Sequence, residues 1–164
     1  MKCPLCGGRM TSKRENYRYD ACGLPNVTLL GVEVRRCAKC GEHEVVIPRI
    51  EELHRVLAAA IVRRTSRLTG QEIRFLRKFL GYSGVDFSKV VGVSPETLSR
   101  WENAKEKMGP IAENLVRMLV VHEQPTREYR VQEILPKITR VSSPKPIGVR
   151  VKGDTWVEQA LKAA

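Results

Sequence analysis

The sequence predicts an α+β protein made of two unlike parts: a small cysteine-bearing domain of β-hairpins, then an all-α domain of short helices with a C-terminal extension. Three observations carry that prediction. Two Cys-x-x-Cys pairs, Cys3–Cys6 and Cys37–Cys40, bracket a stretch that reads as strands. Helix caps, apolar spacing and glycine stops then recur through residues 69–122. Beyond them Pro125, Pro136, Pro144 and Pro146 break the segment. The boundaries are 1–47 for the β domain, 48–68 for a helical connector, 69–122 for the helical domain and 123–164 for the extension, whose structure is left unknown.

Composition narrows what such a chain can do. Hydrophobic residues make up 42% of 164 and charged ones 29%, a globular balance that excludes a disordered tail. Twenty-nine Lys and Arg against 18 Asp and Glu leave +11 at pH 7, so an anionic partner is expected, nucleic acid foremost. The excess is largest in the first 69 residues and smallest over 70–122, so bulk charge does not mark the reading element. The longest apolar run, Val56–Val62, is far short of the roughly 20 residues that span a bilayer. No apolar signal core follows Met1, so the expectation is a cytoplasmic protein with no membrane partner.

Five cysteines without an export signal point to metal or redox chemistry rather than disulfides. A two-residue gap lets both sulfurs of a tight turn face one ion, and Gly7-Gly8 and Gly41 permit the positive φ such turns need. Cys3, Cys6, Cys37 and Cys40 therefore read as a closed tetrahedral shell of four thiolates, and the expected cofactor is one structural zinc per chain. A thioredoxin-like redox centre needs one pair at a helix N-terminus. Here two pairs flank strands, predicted over Arg9–Tyr19 and Val27–Arg36, with Gly23–Asn26 as the loop between them. So small a zinc ribbon has too little core to fold alone, and metal binding supplies the missing free energy. Cys22 belongs to neither pair and reads as a free thiol; His43 reads as a surface side chain.

Pro48 ends the β domain, and Ile50, Leu53, Leu57 and Ile61 then recur at helical spacing. That helix closes on Arg63, Arg64 and Arg67. The cluster fits a basic linker on phosphates and a solvated helix end equally well.

Thr69 with Glu72 forms a capping box for a helix with Ile73, Leu76 and Leu80 inward and Gly81 as its stop. A shorter helix is predicted over Val85–Val91, ended by Gly92. Ser94-Pro95 opens a third helix through Asn103, and Gly109-Pro110 opens a fourth. Two short helices joined by a Gly-Val turn, the second starting Ser-Pro-Glu-Thr, form a helix-turn-helix signature. In the third helix Leu98 and Trp101 face inward, so Ser94, Glu96, Thr97, Ser99, Arg100 and Asn103 are the expected DNA-binding residues. Arg100 can give two hydrogen bonds to guanine O6 and N7 in the major groove. The competing reading is a solvated face with Glu96 and Arg100 as an i,i+4 ion pair. No catalytic constellation surrounds His54 or His122, and the chain reads as a non-enzyme.

The paired knuckles, the helical connector and the stretches Leu68–Arg77 and Gly92–Glu102 together resemble the YgiT-type zinc-finger, Xre-type helix-turn-helix family, that of the MqsA-like antitoxins. The resemblance covers roughly residues 1–121. It implies a homodimer paired through the helix-turn-helix region, bound to a palindromic double-stranded DNA operator and repressing its own operon. It further implies that the zinc domain docks a ribonuclease toxin. Metal ligands carry over to Cys3, Cys6, Cys37 and Cys40, and the recognition arginine to Arg100. Glu96 stands where the antitoxin has a base-reading asparagine, and Gly84 follows Ser83 where many such modules have glutamine. Arg77 and Glu102 sit where related modules often have an inter-helix ion pair.

In the extension a short helix is predicted at Arg127–Leu135, a strand over Ile147–Val151 and a last turn anchored by Trp156. The fourth helix carries a surplus apolar face that needs either this tail or a second subunit to cover it. Two other functions fit the same residues. One is a stand-alone zinc-containing transcription regulator with no toxin. The other is a zinc-ribbon RNA-binding or adaptor protein, with Tyr17 and Tyr19 as its candidate stacking aromatics.

Overall fold

The structure is a computed structural model that describes residues 1–123 and 146–160. The helix predicted at Arg127–Leu135 lies outside the described residues. The chain runs β1 (Met10–Arg18), β2 (Val27–Cys37), β3 (His43–Val46), α1 (Ile50–Val62), α2 (Gly70–Phe79), α3 (Gly84–Val91), α4 (Pro95–Glu102), α5 (Pro110–Glu123), β4 (Ile147–Lys152) and β5 (Thr155–Gln159). An α+β architecture results.

All five strands form one sheet around β2. Along one side β1 runs antiparallel, from Met10 opposite Cys37 to Arg18 opposite Thr28. The other side of β2 is shared. β3 pairs with its second half, Val45 opposite Val34, and β4 runs parallel to its first half, Val149 opposite Leu29. β5 then closes a hairpin on β4, so Trp156 lies on a strand rather than in the expected last turn. A register shift between Glu15 and Tyr17 marks a bulge at Gly31, whose φ is +64° and whose amide donates to Asn16 Oδ1 at 3.1 Å. Strand alternation has period two, so one extra residue changes its phase. The bulge therefore keeps Val27 and Leu29 before it, and Val32 and Val34 after it, in the same core.

α1 joins the sheet to the helices. It packs on β4 and β5 and also on α2 and α5. Leu53, Leu57, Ala58, Ala60, Ile61 and Val62 are all buried, more than one stripe could supply. Ile50, expected in that stripe, is 46% exposed because it sits on the first turn, outside the contact. Trp156 fastens the join by donating its indole N–H to the Pro48 carbonyl at 2.7 Å. One apolar cluster runs from Val27 and Leu29 through Leu57 and Ile61 to Leu76, Leu98 and Val116. A separate, much smaller cluster of Cys3, Met10 and Cys37 lies at the cysteine end of the sheet.

Two of the helical caps, at Thr69 and Ser94, are those expected from the sequence, and a third, at Ser83, starts α3 one residue earlier than predicted. Thr69 and Glu72 make the reciprocal capping box, Ser83 Oγ accepts from the Asp86 amide, and Ser94 Oγ from the Thr97 amide. α3 starts at Gly84 and stops at Gly92 in left-handed conformation. α5 has two distinct faces. Val116 and Val120 point into the core with Glu113 and Arg117, whereas Ile111, Leu115 and Met118 are exposed. Among the described residues no helix is long and apolar enough to cross a membrane.

Candidate metal centre and nucleic-acid face

The cysteine end is built from two turns with the same hydrogen bonds. The Cys3 amide donates to the Gly8 carbonyl at 2.8 Å and the Gly7 amide to the Cys3 carbonyl at 2.9 Å. In the second turn the Cys37 amide reaches the Glu42 carbonyl at 2.8 Å and the Gly41 amide the Cys37 carbonyl at 3.0 Å. Gly7 and Gly41 take φ of +68° and +76°, the left-handed value that bends each chain back over its own sulfurs. The pairing of Met10 with Cys37 then sets one turn against the other.

As a result the four sulfurs of Cys3, Cys6, Cys37 and Cys40 lie within 4.8 Å of one another. The Cys3–Cys40 and Cys6–Cys37 separations are 3.6 and 3.5 Å. A tetrahedral ion with sulfurs at about 2.3 Å needs them about 3.8 Å apart. The donor set therefore fits a single metal ion. The thiols also act on one another. The amides of Cys40 and Lys39 draw the Cys37 thiol down to about 6. Cys40 is pushed up to about 12, the downward pull of the Glu42 amide being outweighed by Cys6, burial and the other two thiols. Four sulfurs this close ionise together only around a cation. His43 is exposed and lies outside the cluster, 6.1 Å ring to ring from Tyr17. Cys22 donates to the Tyr19 carbonyl at 3.1 Å.

In α4, Leu98 and Trp101 are buried at 2% and 6% exposure, while Ser94, Glu96, Ser99, Arg100 and Asn103 are exposed and Thr97 is half-buried. The structure thus brings the six residues singled out in the sequence, four in α4 and two at its caps, to one helix surface and its N-terminal edge. Their partners differ from the expected ones. Arg100 Nε pairs with Glu106 at 3.0 Å, and its Nη2 donates to Thr97 Oγ1 at 3.1 Å; the ion pair is made across the following turn, not with Glu96. The Glu96 carboxyl is held below its usual range chiefly by its own backbone amide and the Ser94 hydroxyl at the helix start. Asn103 gives its amide to the Ser99 carbonyl at 2.8 Å and takes Arg74 on Oδ1 at 2.8 Å, which leaves it braced against two neighbours.

Arg77 and Glu102 do form the inter-helix ion pair, at 2.6 Å, with Arg74 adding a second contact at 3.1 Å. Burial would raise the Glu102 carboxyl, but the two arginines outweigh it and lower it.

The connector arginines have a role that neither sequence reading supplied. Arg64 pairs with Glu72 at 3.1 Å and Arg67 with Glu113 at 2.7 Å, so both are tied inward to the helical half. At the centre lies Arg117, with no exposed surface, donating to the carbonyls of Val62, Arg64 and Ser66 at 2.7 to 2.8 Å and to Glu113 at 2.8 Å. The signal was available: Glu113 and Arg117 fall i,i+4 on the same face as Val116 and Val120, where a charged pair needs buried partners.

No curated protein matches the chain. The family described as the antitoxin component of bacterial toxin-antitoxin systems, MqsA, matches residues 1–130, which include both cysteine turns and α1 to α5 and stop short of β4. With most of its 164 residues inside that match, the chain belongs to the MqsA antitoxin family.

Proposed function

We propose that this protein is a zinc-holding, homodimeric repressor that reads a palindromic DNA operator through α4 and serves as the antitoxin of its own toxin–antitoxin operon. The observation that carries the reading is the juxtaposition, in one chain of this family, of a closed four-cysteine cluster and an exposed polar α4 surface bearing Arg100. α3 and α4 act as an Xre-type helix-turn-helix. Arg100 donates to a guanine in the major groove, while Ser94 and Thr97, at the α4 N-terminus, face the phosphate backbone. Glu96 admits base edges that donate, such as the cytosine amino group, and disfavours phosphate. Ser99 and Asn103 complete the same surface.

Zinc has a structural role here. Cys3, Cys6, Cys37 and Cys40 would hold it, its charge would neutralise the thiolates and tie the two turns together, and four protein ligands would leave no position for a substrate. The exposed Ile111, Leu115 and Met118 of α5 pair with a second copy. The β domain offers the dock for a ribonuclease toxin, and a small ribonuclease-like reading frame beside this one would favour that role over a stand-alone regulator.

The test is selection of duplexes from a randomised library by the full-length protein. A palindrome with half-sites about 34 Å apart is expected, the spacing at which a dyad places two helices in successive major grooves. Arg100→Ala should cost about 1–3 kcal/mol on the selected duplex and little on random DNA. Selection with no shared sequence overturns the reading.

A further inference from the structure

We propose that Glu106 is the positioning residue that presents Arg100 end-on to the DNA and so sets the guanine preference of α4. This rests on Arg100 being the base-reading arginine. A guanidinium has five N–H donors arranged along rigid edges. In Arg100 one edge is taken by side chains of the protein surface, Nε by Glu106 Oε2 at 3.0 Å and Nη2 by Thr97 Oγ1 at 3.1 Å. Nη1 and the second Nη2 hydrogen make up the end-on edge, which has no partner among the described residues. That edge matches guanine O6 and N7.

The backbone puts Glu106 where it is needed. Past the end of α4 Ala104 takes φ +56°, and the amides of Lys105 and Glu106 turn back to the carbonyl of Arg100 itself, at 2.9 and 3.3 Å. The loop is then fixed by buried Met108, whose carbonyl accepts from Arg67. A carboxylate beside the DNA face repels every phosphate, so it lowers affinity for all sequences alike. Its benefit lies in orientation: the long Arg100 side chain, 53% exposed, otherwise samples many rotamers before it meets a base.

Orientation and charge predict opposite signs. Full-length Glu106→Ala should bind a random duplex about twofold to fivefold more tightly at low salt, because a repelling charge is gone. It should also lose about threefold to tenfold in discrimination at the base pair read by Arg100, out of the about tenfold to hundredfold that a bidentate contact provides. Glu106→Gln keeps an acceptor for Nε without the charge, so it should share the gain on random DNA and retain most of the discrimination. The measurement is fluorescence anisotropy on the selected duplex, on its single-base variants at the position where Arg100→Ala loses preference, and on random duplex. Circular dichroism melts check that each variant is folded. Unchanged discrimination in Glu106→Ala overturns the proposal, as does a loss in Glu106→Gln equal to that of Glu106→Ala. If Arg100→Ala weakens selected and random DNA alike, the base-reading role fails and this proposal fails with it. Failure of the Glu106 variants alone leaves that role intact.

Discussion

Arg117 is the residue on which the join between the two halves turns. Its guanidinium satisfies three carbonyls of the connector and the buried Glu113, so its removal leaves all four acceptors without this donor, two of them, the Val62 carbonyl and Glu113, in buried bonds. Arg117→Ala should cost about 3–5 kcal/mol, the range for breaking a buried pair from one side, measured by urea unfolding of the zinc-saturated protein. A cost under about 1 kcal/mol would mean that the connector is held by packing alone. Glu102 makes a pH-dependent contribution. Its carboxyl is lowered in the folded state by Arg77 and Arg74 against the opposing effect of burial. The stabilisation is therefore complete above the unfolded carboxylate value of about 4.3 and disappears as pH falls through the lowered one. Melting temperature followed from pH 7 downward should drop less steeply in Glu102→Gln than in the wild type, and parallel curves would remove Glu102 from the acid response.

Among the elements α5 carries the most divided sequence. Its inner face holds Val116, Arg117 and Val120, and its outer face sets Ile111, Leu115 and Met118 at i, i+4 and i+7, one apolar stripe along the helix. A second copy of the stripe would bury it by a twofold axis, which a palindromic operator also requires. Leu115→Glu should give a monomer by sedimentation velocity, with a folded helical half and much weakened binding to the selected duplex. A dimer that survives Leu115→Glu would place the interface elsewhere. β2 has a comparable dependence on detail, because its bulge at Gly31 keeps both halves of the strand facing the core. Gly31→Val forces a β-branched residue into φ near +64°, a cost of roughly 1–2 kcal/mol before any repacking.

For the molecule as a unit, the extension changes how the parts depend on metal. A free-standing β domain over residues 1–47 would unfold without zinc, yet β4 and β5 complete its sheet and α1 covers it, so its far end belongs to the main core. Only the cysteine end, with Met10 as its apolar filling, lacks such support. Cys3→Ala should therefore lose the bound zinc, about one per chain, and melt the two turns, while hydrogen exchange stays slow in β2 near Leu29. Fast exchange throughout the sheet would show that the metal holds all of it. Truncation after residue 145 should act at the opposite end. It removes buried Ile147, Val149 and Trp156 and bares one edge of β2, so exchange near Leu29 should quicken while zinc is retained. A cut between Arg67 and Leu68 is a poor way to separate functions, since it parts Arg117 from its carbonyls and β4 from β2.

Local geometry is legible along the chain. Cys-x-x-Cys with a following glycine specifies a turn, Thr69 with Glu72 and Ser94 with Pro95 specify helix starts, and Leu98 with Trp101 specify which side of α4 is buried. Each signal spans a few residues, and its physics is complete within them. Pairings between distant residues are settled only when the chain has folded. β4 lies beside β2, Arg67 turns inward to Glu113, and Arg117 sits beneath the connector, 55 residues from Val62 whose carbonyl it holds. Even Arg100 finds its ion-pair partner in Glu106 beyond the helix end and not in Glu96 one turn back, because the chain reverses at Ala104 and helical periodicity ends there. A charge in a sequence announces that it needs a partner; which partner depends on the path that the rest of the chain takes around it.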